Sequence, residues 1–200
     1  METFKMKITE TIAVIFMAVM IYLEDIIELL LTAVTTIIIC LLLTEYLIMP
    51  IRVNGTSMYP TLDDKSIGFS NILGRKINGL KRFDIVIIYL EEKDEKLVKR
   101  IIGMPNETIS YTDGILYIDG NPVEEYFLDD DYVKQQLSLS YHDYFTDDFT
   151  YQLGDDEYFC LGDNRLVSAD SRIYGPFNST EILSKDIFII YPFSKFGFAE

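Results

Sequence analysis

Residues 108–123 read T-I-S-Y-T-D-G-I-L-Y-I-D-G-N-P-V, and this stretch decides the fold. Asp113-Gly114 and Asp119-Gly120 bracket the short run 115–118. Asp-Gly between β-rich runs is a strong hairpin signal, because both residues accept the positive φ of a type I′ turn. Residues 108–123 are therefore expected to form consecutive hairpins. Working outward, further β-rich runs recur at strand spacing: 66–71, 84–90 and 97–102 on one side, 157–161 and 186–191 on the other. Runs that stay apolar throughout, such as 85–89, are expected as central strands buried on both faces. No long helical period follows residue 50. The expected fold is mainly β: an antiparallel all-β domain over 50–200, preceded by an N-terminal transmembrane helix and carrying a small inserted subdomain.

Residues 1–49 have a different composition. From 29 to 49 the chain is apolar apart from scattered Thr and Glu45, lacks Gly and Pro, and has about the length that crosses a bilayer core. Pro50 ends it. A second apolar run, 12–23, is about half a span, and Glu24, Asp25 and Glu28 separate the two. Either the first run lies at the interface or packs beside one true span, or the two runs form a hairpin that crosses twice. Lys5 and Lys7 are the only positive charges before Arg52, which favours a cytoplasmic N-terminus and, with one crossing, an extracytoplasmic 50–200. A cleavable signal peptide is the alternative. Too much apolar length follows the charged start, and no small-residue cleavage pattern is present, so a retained anchor is expected.

The formal net charge of −15 with no basic stripe argues against nucleic acid, whose binding relies on clustered Lys and Arg. Two cysteines, Cys40 and Cys160, suggest neither a disulfide framework nor a metal site, and no metal or other cofactor is expected. The single histidine, His142, lies in an acidic, aromatic stretch and reads as a solvated loop residue. Residues 124–157 carry eleven Asp or Glu against one Lys134, interleaved with Tyr and Phe. Their spacing does not match an EF-hand loop, so a solvated insertion whose aromatics pack on the sheet is expected rather than a calcium site.

Three segments carry chemistry. The first, residues 53–62, reads V-N-G-T-S-M-Y-P-T-L. Gly55, Pro60 and small polar residues make a tight exposed loop with Ser57 at its crest, which is either an ordinary turn or a nucleophile. In the second, L-V-K-R-I-I-G-M-P, strand alternation places Lys99 on one face with Leu97 and Ile101. If that face is buried, desolvation lowers the amine pKa and frees a general base; otherwise the lysine snorkels to water at an edge. The third, residues 162–176, reads G-D-N-R-L-V-S-A-D-S-R-I-Y-G-P. It is either an ion-paired turn or a hydrogen-bonded network, in which Asp170 and Arg172 form a bidentate pair and Ser168 orients a lysine amine.

Together, in this order and after an apolar N-terminal segment, the three motifs resemble type I signal peptidase of bacteria. The resemblance covers roughly residues 29–192, with 124–157 matching only in position. It implies a membrane-anchored all-β domain that cleaves signal peptides from exported preproteins after small residues. Ser57 resembles the family's nucleophile and Lys99 its general base. Ser168 resembles the hydroxyl that positions the amine, and Asp170, Arg172 and Arg100 resemble structural ion-pair partners. Met58 matches a position near the substrate groove, and Gly55 stands two residues before the nucleophile, where some members carry a Ser that helps form the oxyanion hole. With Gly55 there, the Ser57 N–H is the expected oxyanion donor. Asn106 and Glu107 replace the usual Gly and Asp after Pro105, and Asn tolerates the positive φ such a turn requires. Phe83 stands where Gly is frequent, and nothing in the sequence accounts for it. The partners implied are preproteins, membrane lipid and the secretion machinery. Only seven residues separate Met49 from Ser57, a tether of at most about 25 Å, so the site is expected near the outer membrane face. Two rivals are a catalytically inactive membrane-anchored binding protein on this scaffold and a self-cleaving repressor-type Ser/Lys protease. Both dyad positions hold competent residues, which weighs against the first, and the apolar anchor and acidic charge weigh against the second.

Overall fold

A computed structural model describes the backbone of residues 2–199 and the side chains of residues 15–199. The chain folds as two compact units that divide between Glu45 and Tyr46. The first is one unbroken helix, α1 (Glu2–Tyr46), of 45 residues, within which Ile15–Tyr46 is long and apolar enough to cross a membrane, its most apolar 18 residues having a mean hydropathy of 2.7. The expected break at Glu24, Asp25 and Glu28 is absent. A hairpin would need a turn there, but no Gly or Pro interrupts the run, and acidic residues do not stop a helix as those two do. The hydroxyls of Thr32, Thr36 and Thr44 fold back onto the carbonyls four residues earlier, at 2.8, 2.8 and 3.0 Å, so the helix satisfies its own polar groups. It also ends earlier than the apolar run, because residues 48 and 49 belong to the first strand.

The second unit is antiparallel throughout. Its large sheet has the order β1 (Ile48–Arg52), β2 (Ile67–Asn71), β11 (Ile182–Tyr191), β3 (Ile85–Leu90), β4 (Glu95–Gly103), β9 (Glu157–Leu161) and β10 (Phe177–Asn178), with β12 (Gly197–Phe198) also on β11. Pro50 sits in the edge strand β1, where a missing N–H costs no ladder bond. β3 is central and buried on both faces, as its apolar run requires. Ile85 and Ile87 pack with Val53, Met58, Leu62, Ile187 and Ile189 on one side; Val86 and Ile88 pack with Ile101, Cys160 and Ile182 on the other.

The smaller sheet has the order β7 (Asn121–Val123), β6 (Ile115–Ile118), β5 (Thr108–Thr112) and β8 (Phe149–Gln152). Both Asp-Gly turns take the expected left-handed pairs: φ 52° and 75° at Asp113 and Gly114, φ 51° and 76° at Asp119 and Gly120. The insertion is more ordered than expected. It carries α3 (Asp130–Leu139), whose N-cap Asp129 accepts from the Tyr132 N–H at 2.7 Å, and then β8, which pairs with β5. The β8 signal lies in Phe149 and Tyr151, whose rings pack at 5.3 and 5.6 Å from that of Phe159, but flanking Asp residues mask it. Two short helices, α2 (Ile72–Asn78) and α4 (Ser171–Tyr174), complete the unit.

Gly68 in β2 faces the backbone of β11, where a Cβ would stand 2.1 Å from the Phe188 carbonyl oxygen. A backbone atom cannot swing aside as a side chain does. Gly68→Ala is therefore expected to destabilise the β unit by about 1–3 kcal/mol, lowering the melting temperature by about 2–4 °C per kcal/mol in calorimetry. An unchanged melting temperature would refute this packing.

Candidate active site

The loop between β1 and β2 is anchored at both ends: the Val53 N–H donates to the Ser66 carbonyl and the Lys65 N–H to the Val53 carbonyl, each at 2.8 Å. Gly55 adopts φ +91°, a conformation that favours glycine, and its N–H donates to Asp64 Oδ1 at 2.8 Å. Met58 lies 1% exposed in the core beneath the loop. Next to Ser57, it packs with Leu62 and Ile187 and supports the loop from below. Ser57 remains partly exposed at the crest.

β4 delivers Lys99 to that crest. Its Nζ lies 2.9 Å from Ser57 Oγ, although the two residues are 42 apart in sequence. Lys99 is 2% exposed and does not snorkel. Burial pushes its amine below the ordinary value; Asp170 opposes this, and Arg172 adds to it.

The 162–176 segment forms the floor. Gly162 approaches so closely that a Cβ there would stand 2.2 Å from Ser168 Oγ and 2.4 Å from the Ser57 carbonyl oxygen, which requires glycine. Asn164 donates its N–H to the Ser57 carbonyl at 3.0 Å and its Nδ2 to the Thr56 carbonyl at 3.2 Å. The Ser168 hydroxyl is buried beside Gly162 and forms no hydrogen bond to Lys99.

The expected ion pairs divide into two forks. Arg172 donates Nε and Nη2 to Asp170 at 2.9 Å each, while the Gly162 N–H donates to Asp170 Oδ2 at 3.0 Å. Burial alone would raise the Asp170 carboxyl, but Arg172 and the Gly162 N–H hold it below its ordinary value. Arg100 pairs instead with Asp163, donating Nε and Nη2 at 2.9 and 2.8 Å, and Asp163 Oδ2 also accepts from Thr61 Oγ1 at 2.5 Å. Asp163, Asn164 and Thr61 were quoted in the motifs without assigned roles. The signal for them was present, since a buried loop must satisfy its polar groups.

A groove of about 420 Å³ opens on Ser57, with Val53 and Asn54 on one wall and Leu97, Val98 and Lys99 on the other. β4 pairs with β9 only from Arg100 onward, leaving residues 95–99 without a strand on that side.

The family described as "Signal peptidase, peptidase S26" matches residues 26–191. The chain is 37% identical over 164 residues to signal peptidase I S of Bacillus subtilis (strain 168), covering 81% of this chain and 87% of that protein. It is 31% identical over 186 residues to signal peptidase IB of Staphylococcus aureus (strain COL), covering 86% and 93%. A crystal structure of a signal peptidase I from Enterococcus faecalis V583 superposes with a TM-score of 0.47 at 31% identity, covering 53% of this chain and 95% of that one.

Burial of Lys99 has a thermodynamic consequence. A lysine whose pKa is lower folded than unfolded destabilises the fold at pH values below its unfolded pKa, and that penalty vanishes above it. Lys99→Met is expected to raise the melting temperature at pH 7, with the gain shrinking as pH rises towards the ordinary lysine value of 10.5. A gain that stays constant from pH 7 to 10.5 would show that the amine is not desolvated.

Proposed function

Because this chain belongs to the S26 signal peptidase family, we propose that it removes signal peptides from preproteins as a membrane-anchored endopeptidase, with Ser57 as nucleophile and Lys99 as general base. The observation that carries this reading is a buried amine 2.9 Å from the Ser57 hydroxyl.

In the neutral state Lys99 accepts the Ser57 proton as Oγ attacks the scissile carbonyl. It returns that proton to the leaving amine, then takes one from the water that hydrolyses the acyl-enzyme and delivers it to the departing Ser57 Oγ. The developing oxyanion needs a preorganised donor. The Gly55 N–H is committed to Asp64, whereas the Ser57 N–H has no acceptor among the described residues, which supports it as donor. The unpaired edge at 95–99 supports substrate docking as an added strand, with main-chain bonds giving affinity and side-chain pockets giving selectivity. In the same reading, selectivity for small residues at the first and third positions before the cut follows from overlap, which rejects a large side chain more strongly than a missing methylene weakens a small one. The apolar stretch Ile15–Tyr46 supports a lipid-embedded anchor, and Lys5 and Lys7 support an N-terminus inside and a catalytic unit outside, where the secretion machinery delivers its products.

Ser57→Ala and Lys99→Met are each expected to remove nearly all preprotein cleavage while the β unit remains folded. Lys99→Met is the sharper test because it keeps the apolar stem. Activity within about tenfold of wild type, a barrier change of about 1.4 kcal/mol, would refute the dyad. The wild-type rate should rise with pH along an acidic limb centred below the ordinary lysine pKa, since only the free amine accepts the proton. Protease added to intact spheroplasts should digest residues 50–200; protection until lysis would reverse the topology.

A further inference from the structure

Arg165 lies outside the dyad, yet its side chain is fully buried, and its donors reach three structural elements. Nε donates to the Gly162 carbonyl at 2.9 Å, Nη1 to Tyr111 Oη at 2.8 Å and Thr146 Oγ1 at 3.0 Å, and Nη2 to Glu125 Oε1 at 2.5 Å. Among the described residues, Glu125 is the carboxylate that ion-pairs with it, and the same Oε1 accepts from the Tyr111 hydroxyl at 2.8 Å. Glu125 belongs to the acidic segment 124–157, outside the three motifs that carry Ser57, Lys99 and Asp170. The insertion also touches the nucleophile loop directly, where Tyr132 of α3 meets Tyr59 edge-on at 5.1 Å.

These contacts form a continuous path. Gly162 is held at its carbonyl by Arg165 and at its N–H by Asp170, and two residues on, the Asn164 N–H holds the Ser57 carbonyl. A guanidinium without its carboxylate would be an uncompensated buried charge, which reorganises its surroundings or admits water. We propose that Glu125 is a positioning residue for the reaction: by fixing Arg165 it fixes the Gly162 carbonyl, and through the Gly162–Asn164 turn it sets where Ser57 meets Lys99. This inference rests on the Ser57/Lys99 reading. Displacing a reacting group by about 1 Å costs on the order of a hundredfold in rate, and a loss confined to the transition state appears in kcat rather than KM.

The full-length chain in lipid vesicles is assayed on a preprotein as wild type, Glu125→Gln, Glu125→Asp and Lys99→Met, each well below its own melting transition. Glu125→Gln is expected to lower kcat by about ten- to a hundredfold with KM within about threefold, and Glu125→Asp to recover most of the loss because it retains the charge. A purely structural counter-ion would change the melting temperature and leave kcat of the folded fraction intact; that result, or a loss confined to KM, overturns the proposal. Should Glu125→Gln fail to fold, the double variant Glu125→Leu/Arg165→Met removes both charges and is expected to fold but to lose kcat, because the Gly162 carbonyl loses its donor. Wild-type kcat in that variant also overturns it. Lys99→Met separates the two failures: if it is inactive while Glu125→Gln is fully active, only the role of Glu125 falls, and if it is active, the dyad falls and this inference with it.

Discussion

The structure depends on one constraint: a primary amine is held in a dry sheet, where burial works against its ammonium form. Lys99 is buried, so desolvation works against its ammonium form, but a free carboxylate nearby would restore that form. Asp170 is such a carboxylate. It is not free, because both of its oxygens are bound by Arg172 and one also by the Gly162 N–H. The Asp170–Arg172 fork therefore does more than shape a loop. It supplies the N-cap of α4, the anchor for Gly162 and a local cation that works with burial against the ammonium form of Lys99, opposite in sign to Asp170.

The second requirement follows from the first. A site this dry must bury loop backbone, and buried loop polar groups must be paired. The 162–165 segment meets this almost residue by residue: Gly162 to Asp170 and Arg165, Asp163 to Arg100 and Thr61, Asn164 to Ser57 and Thr56. Each bond ties a different element to the same few atoms, so β4, the nucleophile loop and the floor cannot move independently.

Much of this was legible in the sequence. The Asp-Gly pairs marked the hairpins, since few other dipeptides accept two successive positive φ values, and the unbroken apolar run of β3 marked a central strand. Lys99 among Leu and Ile on a strand face was the visible anomaly, and its burial is what that pattern implies. Pairing was legible only in part: the Asp170–Arg172 fork is the one the sequence offered, whereas nothing local pointed Arg100 to Asp163. β8 was hidden by flanking acids, the continuity of α1 by an acidic patch that does not break helices, and the burial of Met58 by its place in an exposed-looking loop.

Phe83, unexplained by the sequence, now has a physical account that draws the insertion into the site. It adopts φ 70°, where glycine is at ease and another residue costs about 1–2 kcal/mol. Its carbonyl accepts from Arg100 Nη1 at 3.0 Å, so the strained backbone serves the Arg100–Asp163 fork. Its ring packs on Phe127 at 5.0 Å and Tyr126 at 5.5 Å, contacts worth about 0.5–1.5 kcal/mol each beyond their burial, which offsets the strain. Glycine would adopt the turn freely but could not fasten Phe127, whose ring lies 4.0 Å from the Arg100 guanidinium. The insertion thus grips the site at three points: Phe127 on Arg100, Glu125 on Arg165 and Tyr132 on Tyr59. Its sequence reads as solvated because most of its acids face water, while the few side chains that turn inward close the shell around Ser57 and Lys99.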